Sequence, residues 1–131
     1  FEPKPERTSI PLWIGGNTPA AVRRAARVGD AWSPYGIGLE DYRASVALLR
    51  ETVQDQPLPL LAAHLMIHLP AKGRQTTRGH ISGSPAEVGE TINQYRQAGL
   101  QYLVCGFEAD DVNDFLRQVR VFAEAVRPQV V

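Results

Sequence analysis

Short, continuous apolar runs alternate along the chain with longer segments in which apolar residues return every third or fourth position. The first pattern predicts buried strands and the second predicts helices with one buried face. Phe1–Ser9 shows neither rhythm and reads as an extended lead-in. Ile10–Ile14 is the first strand, closed by Gly15-Gly16-Asn17, with Pro11 tolerable only near its start. Thr18 then suits a helix N-cap and Pro19 the first helical position, so a helix is predicted over Pro19–Val28, stopped by Gly29. Asp30–Ser33 is a second strand. After the Pro34–Gly38 loop a helix starts at Glu40, with Tyr42, Val46, Leu49 and Val53 on one face.

Leu60–Leu69 is nearly continuously apolar, as expected of a strand covered on both sides in a parallel sheet. Pro70–Gly83 reads as a polar loop. Ser84-Pro85-Ala86-Glu87 has the form of a capping box, in which Ser84 and Glu87 each bond the other's amide. Val88, Ile92 and Tyr95 give that helix its apolar face, and Gly99 ends it. Tyr102–Cys105 is the fourth strand, and the acidic turn Glu108–Asp111 leads into a last helix. There Val112, Phe115, Leu116, Val119, Phe122, Ala123 and Val126 form an expected buried face.

The order is therefore strand–helix four times over, which demands parallel crossovers and an α/β fold. Half of a (β/α)8 barrel fits, as a single (β/α)4 domain over residues 10–131 behind the lead-in at 1–9, because a complete barrel needs about 200 to 250 residues. An open doubly wound sheet has the same element order. Length agrees with one domain, at 131 residues.

Charge and composition narrow the function classes. With 14 Lys+Arg against 14 Asp+Glu, no basic excess points to nucleic acid. The longest apolar stretch, Leu58–Leu69, is interrupted by Pro59, His64 and His68 and falls well short of the roughly 18 residues a membrane span needs. A single cysteine excludes an internal disulfide, and with no basic-then-apolar leader at Phe1 the expected location is the cytoplasm. Cys105 reads as a small buried hydrophobe.

Gly15-Gly16-Asn17-Thr18 sits between a strand end and a helix start, where free amides and the positive end of the helix dipole suit a phosphate. Two glycines there also make a plain tight turn. His64 and His68, four apart on a strand, share a face and are conceivable metal ligands. Barrel-lining histidines are the favoured reading, since no Asp, Glu or Cys accompanies them at ligand spacing, and no metal is expected. His68, nearer the C-terminal end of its strand, is the better placed to face a ligand. Lys72, Arg74, Arg78 and His80 occupy the following loop, on the side where barrel active sites form, and suit an anionic substrate or cofactor tail as well as plain solvation. Trp32 and Ser33 either line a cofactor pocket or cap the barrel.

Lys4–Pro34, KPERTSIPLWIGGNTPAAVRRAARVGDAWSP, closely resembles the stretch of the bacterial luciferase-like monooxygenase family that runs from a Lys-Pro lead-in through Gly-Gly-Asn and an Ala/Arg-rich helix to Gly-Asp-x-Trp. Gly79–Val104 is similar to the same family's Gly-Ser/Thr-Pro-Glu helix and last barrel strand. The resemblance implies a flavin- or deazaflavin-dependent oxidoreductase on a (β/α)8 barrel, with FMN or a deazaflavin coenzyme and a small-molecule substrate. Its cofactor phosphate would fall at Gly15, Gly16, Asn17 and Thr18, with Trp32 close by. It also implies that the first four strands are missing here, so that the chain would need that half or a second copy of itself. The rival expectation is a non-catalytic half-barrel binding or scaffold module that self-associates.

Overall fold

The structure is a computed structural model that describes residues 9–70 and 80–130. Within them β1 (Trp13–Ile14), α1 (Pro19–Val28), β2 (Ala31–Trp32), α2 (Leu39–Val53), β3 (Leu60–His68), β4 (His80–Ser82), α3 (Pro85–Gln97), β5 (Tyr102–Phe107) and α4 (Val112–Val121) follow in order. A wider helical turn over Phe122–Val126 and a 3₁₀ turn over Arg127–Gln129 continue α4.

All strand pairs are parallel. One edge of β3 meets β2 at Leu60 and Leu61, Tyr35 at His64, and β4 from Met66 to His68. The other edge pairs with β5 from Ala62 to Ile67. Leu61, Ala63, Leu65, Ile67 and Leu69 are buried beneath the helices together with Trp32, Tyr42, Leu49, Val88 and Ile92. The even-numbered residues of β3 face the other way and are only half-buried beyond Ala62. Trp13 and Tyr102 stand on strands three spacings apart, about 14 Å in a flat sheet. Their rings nevertheless meet edge-on at 5.2 Å, so the sheet is curved with this face inside. Helices on one face and a curved parallel sheet are the half-barrel arrangement, and the doubly wound alternative, with helices on both faces, is not adopted.

Three expectations are corrected. The Pro70–Gly83 segment contains a strand, β4, whose three residues are held by pairing with β3 and not by an apolar run of their own. The first strand is shorter than Ile10–Ile14: Pro11 offers no amide to a ladder, and Leu12 is held instead by its amide donating to Asp30 Oδ2 at 2.7 Å. Finally, α4 does not bury its apolar stripe. Val112, Phe115, Leu116 and Val119 are 68, 41, 56 and 37% exposed, and Gln118 is its one buried residue. Gln118 accepts from the Leu69 amide through Oε1 and donates through Nε2 to the Glu108 carbonyl and to Asp114 Oδ2. Arg117 donates to the Leu69 carbonyl at 2.6 Å and holds the Asp114 carboxyl below its ordinary range. These bonds between the ends of β3 and β5 set the helix's rotation.

Candidate functional site

The loops after the C-terminal ends of the strands cluster at one end of the sheet, the end that carries active sites in (β/α)8 barrels. The turn from Gly15 to Thr18 leaves β1 there. Gly16 takes φ +102, in the left-handed region, and a Cβ on it would stand 2.8 Å from the Ala21 Cβ, so only glycine fits. Thr18 caps α1 by accepting from the Ala21 amide at 3.3 Å, and Asn17 Nδ2 donates to the Tyr35 carbonyl at 2.9 Å, tying the turn to the loop after β2. The amides of Gly16, Asn17, Thr18 and Ala20 have no partner among the described residues. The first turns of α2, α3 and α4 carry carboxylates (Glu40 and Asp41, Glu87, Asp114), whereas the first turn of α1 carries none. The positive end of the α1 dipole is thus left without an acidic side chain of its own.

Trp32 does not open onto the inner face. It is fully buried on the helix side, where it stacks on Tyr42 at 5.4 Å and donates from Nε1 to the Gly16 carbonyl at 3.1 Å. The indole braces the turn from behind. Tyr95 extends the cluster, tilted against Tyr42, and donates to the Ile37 carbonyl at 2.7 Å. Beside the turn, a cavity of about 560 Å³ is bounded by Asn17, Pro19, Gly36–Gly38 and the Asp41–Leu48 face of α2.

His64 and His68 do share the inner face, but four residues of strand separate them by about 13 Å, further than two ligands of one ion can stand. The His64 ring meets Tyr35 edge-on at 4.8 Å, and His68 Nδ1 lies 3.3 Å from Ser82 Oγ. Sequence reasoning missed Tyr35, Ser82, Met66 and Gly106 as members of this face. The period-two register of Leu60–His68 was the signal for Met66, while the other three are placed by strand pairing. His80 pairs with Met66 in β4. Lys72, Arg74 and Arg78 lie outside the described residues. Cys105 is half-buried on the helix side, and burial pushes its thiol up to about 11, which leaves it protonated and unreactive at neutral pH.

Residues 1–71 match the family described as luciferase-like monooxygenase. No curated protein matches the chain in sequence. Solved structures share the fold: apo-MsnO8, at TM-score 0.75 and 16% identity, over 96% of this chain and 53% of its own. An F420-dependent secondary alcohol dehydrogenase in complex with an F420-acetone adduct follows at TM-score 0.74 and 15% identity, over 99% and 51%. Monooxygenase RslO1 from Streptomyces bottropensis matches at 0.71 and 18%, over 96% and 50%. The chain spans about half the length of these structures. Among the described residues no helix is long and apolar enough to cross a membrane.

Proposed function

The chain belongs to the luciferase-like monooxygenase family, and we propose that it supplies the phosphate-holding side of a flavin- or deazaflavin-dependent oxidoreductase acting on a small molecule. The observation that carries the proposal is the α1 start: unpartnered amides, a residue position open only to glycine, and no carboxylate in the first turn. The cofactor, FMN or a deazaflavin coenzyme, would exchange hydride with the substrate when bound. Gly16, Asn17 and Thr18 hold its phosphate through main-chain donors. Trp32 fixes the Gly16 carbonyl on the far side, so that the amides point outward, and Asn17 keeps the neighbouring loop in place. That F420 serves one solved relative in fold supports the deazaflavin branch.

Flavin fluorescence quenching tests the assignment. Gly16→Val should weaken binding of FMN or deazaflavin at least tenfold by filling the approach and straining the turn, while Thr18→Ser, which keeps the capping hydroxyl, should bind like the wild type. Equal affinity of Gly16→Val and wild type overturns the phosphate site, and absence of cofactor binding altogether favours the non-catalytic scaffold.

A further inference from the structure

Away from the phosphate turn, β3 presents a row of alternate residues to the inner face: Ala62, His64, Met66 and His68. His68 ends this row at the C-terminal rim. Its Nδ1 is 3.3 Å from the hydroxyl of Ser82, the residue opposite it in the β3–β4 register. A serine hydroxyl donates and accepts, so it satisfies Nδ1 in either ring tautomer. The ring can therefore present Nε2 as an acceptor or as a donor without losing its anchor. Among the described residues Nε2 has no partner, and His68 is half-buried.

The floor beside it joins a thioether to the second histidine. Met66 folds over Gly106, where a Cβ on residue 106 would collide with the Met66 sulfur and stand 3.4 Å from His64 Nε2. Val104 continues the floor opposite His64. A thioether over a glycine makes an adaptable apolar bed about one residue pair, roughly 7 Å, below the imidazole.

We infer that His68, anchored by Ser82, binds the oxygen of a small alcohol or ketone whose carbon skeleton lies along Met66. With an alcohol, Nε2 accepts the O–H and Nδ1–H donates to Ser82. With a ketone, Nε2–H donates to the carbonyl and the Ser82 hydroxyl donates to Nδ1. The inference rests on reading this face as the substrate side of the proposed oxidoreductase, and it is independent of the phosphate turn.

Long-range ¹H–¹⁵N spectra of the ¹⁵N-labelled chain, titrated with cyclohexanol and separately with cyclohexanone, read this directly. Cyclohexanol should shift the His68 nitrogens toward the Nδ1–H form and cyclohexanone toward the Nε2–H form. Ser82→Ala should weaken both responses at least threefold, and Ser82→Thr should restore them. No response at His68, shifts of the same sign for both probes, or a Ser82→Ala response equal to wild type overturns the inference. Flavin quenching on the same samples separates the two readings: quenching without a His68 response removes this inference alone, and a His68 response with equal quenching of wild type and Gly16→Val removes the phosphate assignment alone.

Discussion

The indole of Trp32 and the phenols of Tyr42 and Tyr95 form one buried stack behind the Gly16 turn, and each ring carries a polar atom that must be accounted for. Trp32 Nε1 and the Tyr95 hydroxyl donate to backbone carbonyls, whereas the Tyr42 hydroxyl is buried with no partner among the described residues. A buried hydroxyl without a bond costs on the order of 1 kcal/mol or more. Tyr42→Phe should therefore raise stability by about 1 kcal/mol, and Tyr95→Phe should lower it by a similar amount, as read by urea unfolding. Burial first and the Asp41 carboxylate second push the Tyr95 phenol up to about 12, and burial pushes Tyr42 upward as well. An unfolded tyrosine ionises near 10. The folded state thus holds these protons more tightly, and the stability they lend is complete below pH 10 and lost as pH rises toward 12. Melting temperature followed from pH 8 to 12 should fall in that window, less steeply in Tyr42→Phe. At this scale the sequence was legible where a side chain acts on its own backbone neighbours, as Thr18 and Ser84 do in capping. It was not legible for Trp32, because whether its ring turns toward the lumen or the helices is decided by its pairing with Leu61.

Among the elements, the strand–helix rhythm and the bounds of α1 were readable, because Thr18-Pro19 and Gly29 mark its ends chemically. So was the capping box of α3: the Ser84 hydroxyl lowers the Glu87 carboxyl and both reciprocal bonds form. The rotation of α4 was not. Its apolar period pointed one way, and the backbone groups at the end of β3 pulled a polar face inward. Gln118→Leu tests which influence is stronger. The Leu69 amide would lose its buried acceptor, so stability should drop by about 2 kcal/mol. Gln118→Glu, which keeps an acceptor but sets a buried carboxylate oxygen against Asp114 Oδ2 and the Glu108 carbonyl, should lose at least as much. Equal stability of wild type and Gln118→Leu in urea unfolding would show that the helix docks through its aromatic contacts with Phe107 alone.

For the whole molecule, β1, β4 and β5 each pair with a single strand among the described residues, and the half-barrel has an inner face on which Trp13 and Tyr102 remain 45 and 51% exposed. The stripe on α4 adds to this apolar surface beside the β5 edge. Unpaired parallel edges and exposed apolar faces drive association. The chain should accordingly be found by light scattering as a species of at least twice its 14.4 kDa, or combine with a complementary β/α half that continues the sheet. Trp13→Glu should shift the population toward the single chain, and a stable wild-type monomer would count against the expectation. The count of four β/α units is what raises the expectation of such a closure; which surfaces it would cover was not legible, since that depends on the turn of α4.

The central place of β3 also bears on the order in which the molecule can form as it is synthesised. β1 and β2 share a ladder of only two residues each, too short to persist alone, and every other ladder in the sheet runs through β3. Until β3 is made, the β1–β2 ladder beside the phosphate turn has no other strand of β2–β5 to lean on. These strands join one another only when β3 arrives, and β3 is held on both edges only after β5 has followed. A nascent chain halted before Leu60 would leave Trp32 without its partner strand and the Gly16 carbonyl without its brace, so the shape of the turn is inherited from residues made later.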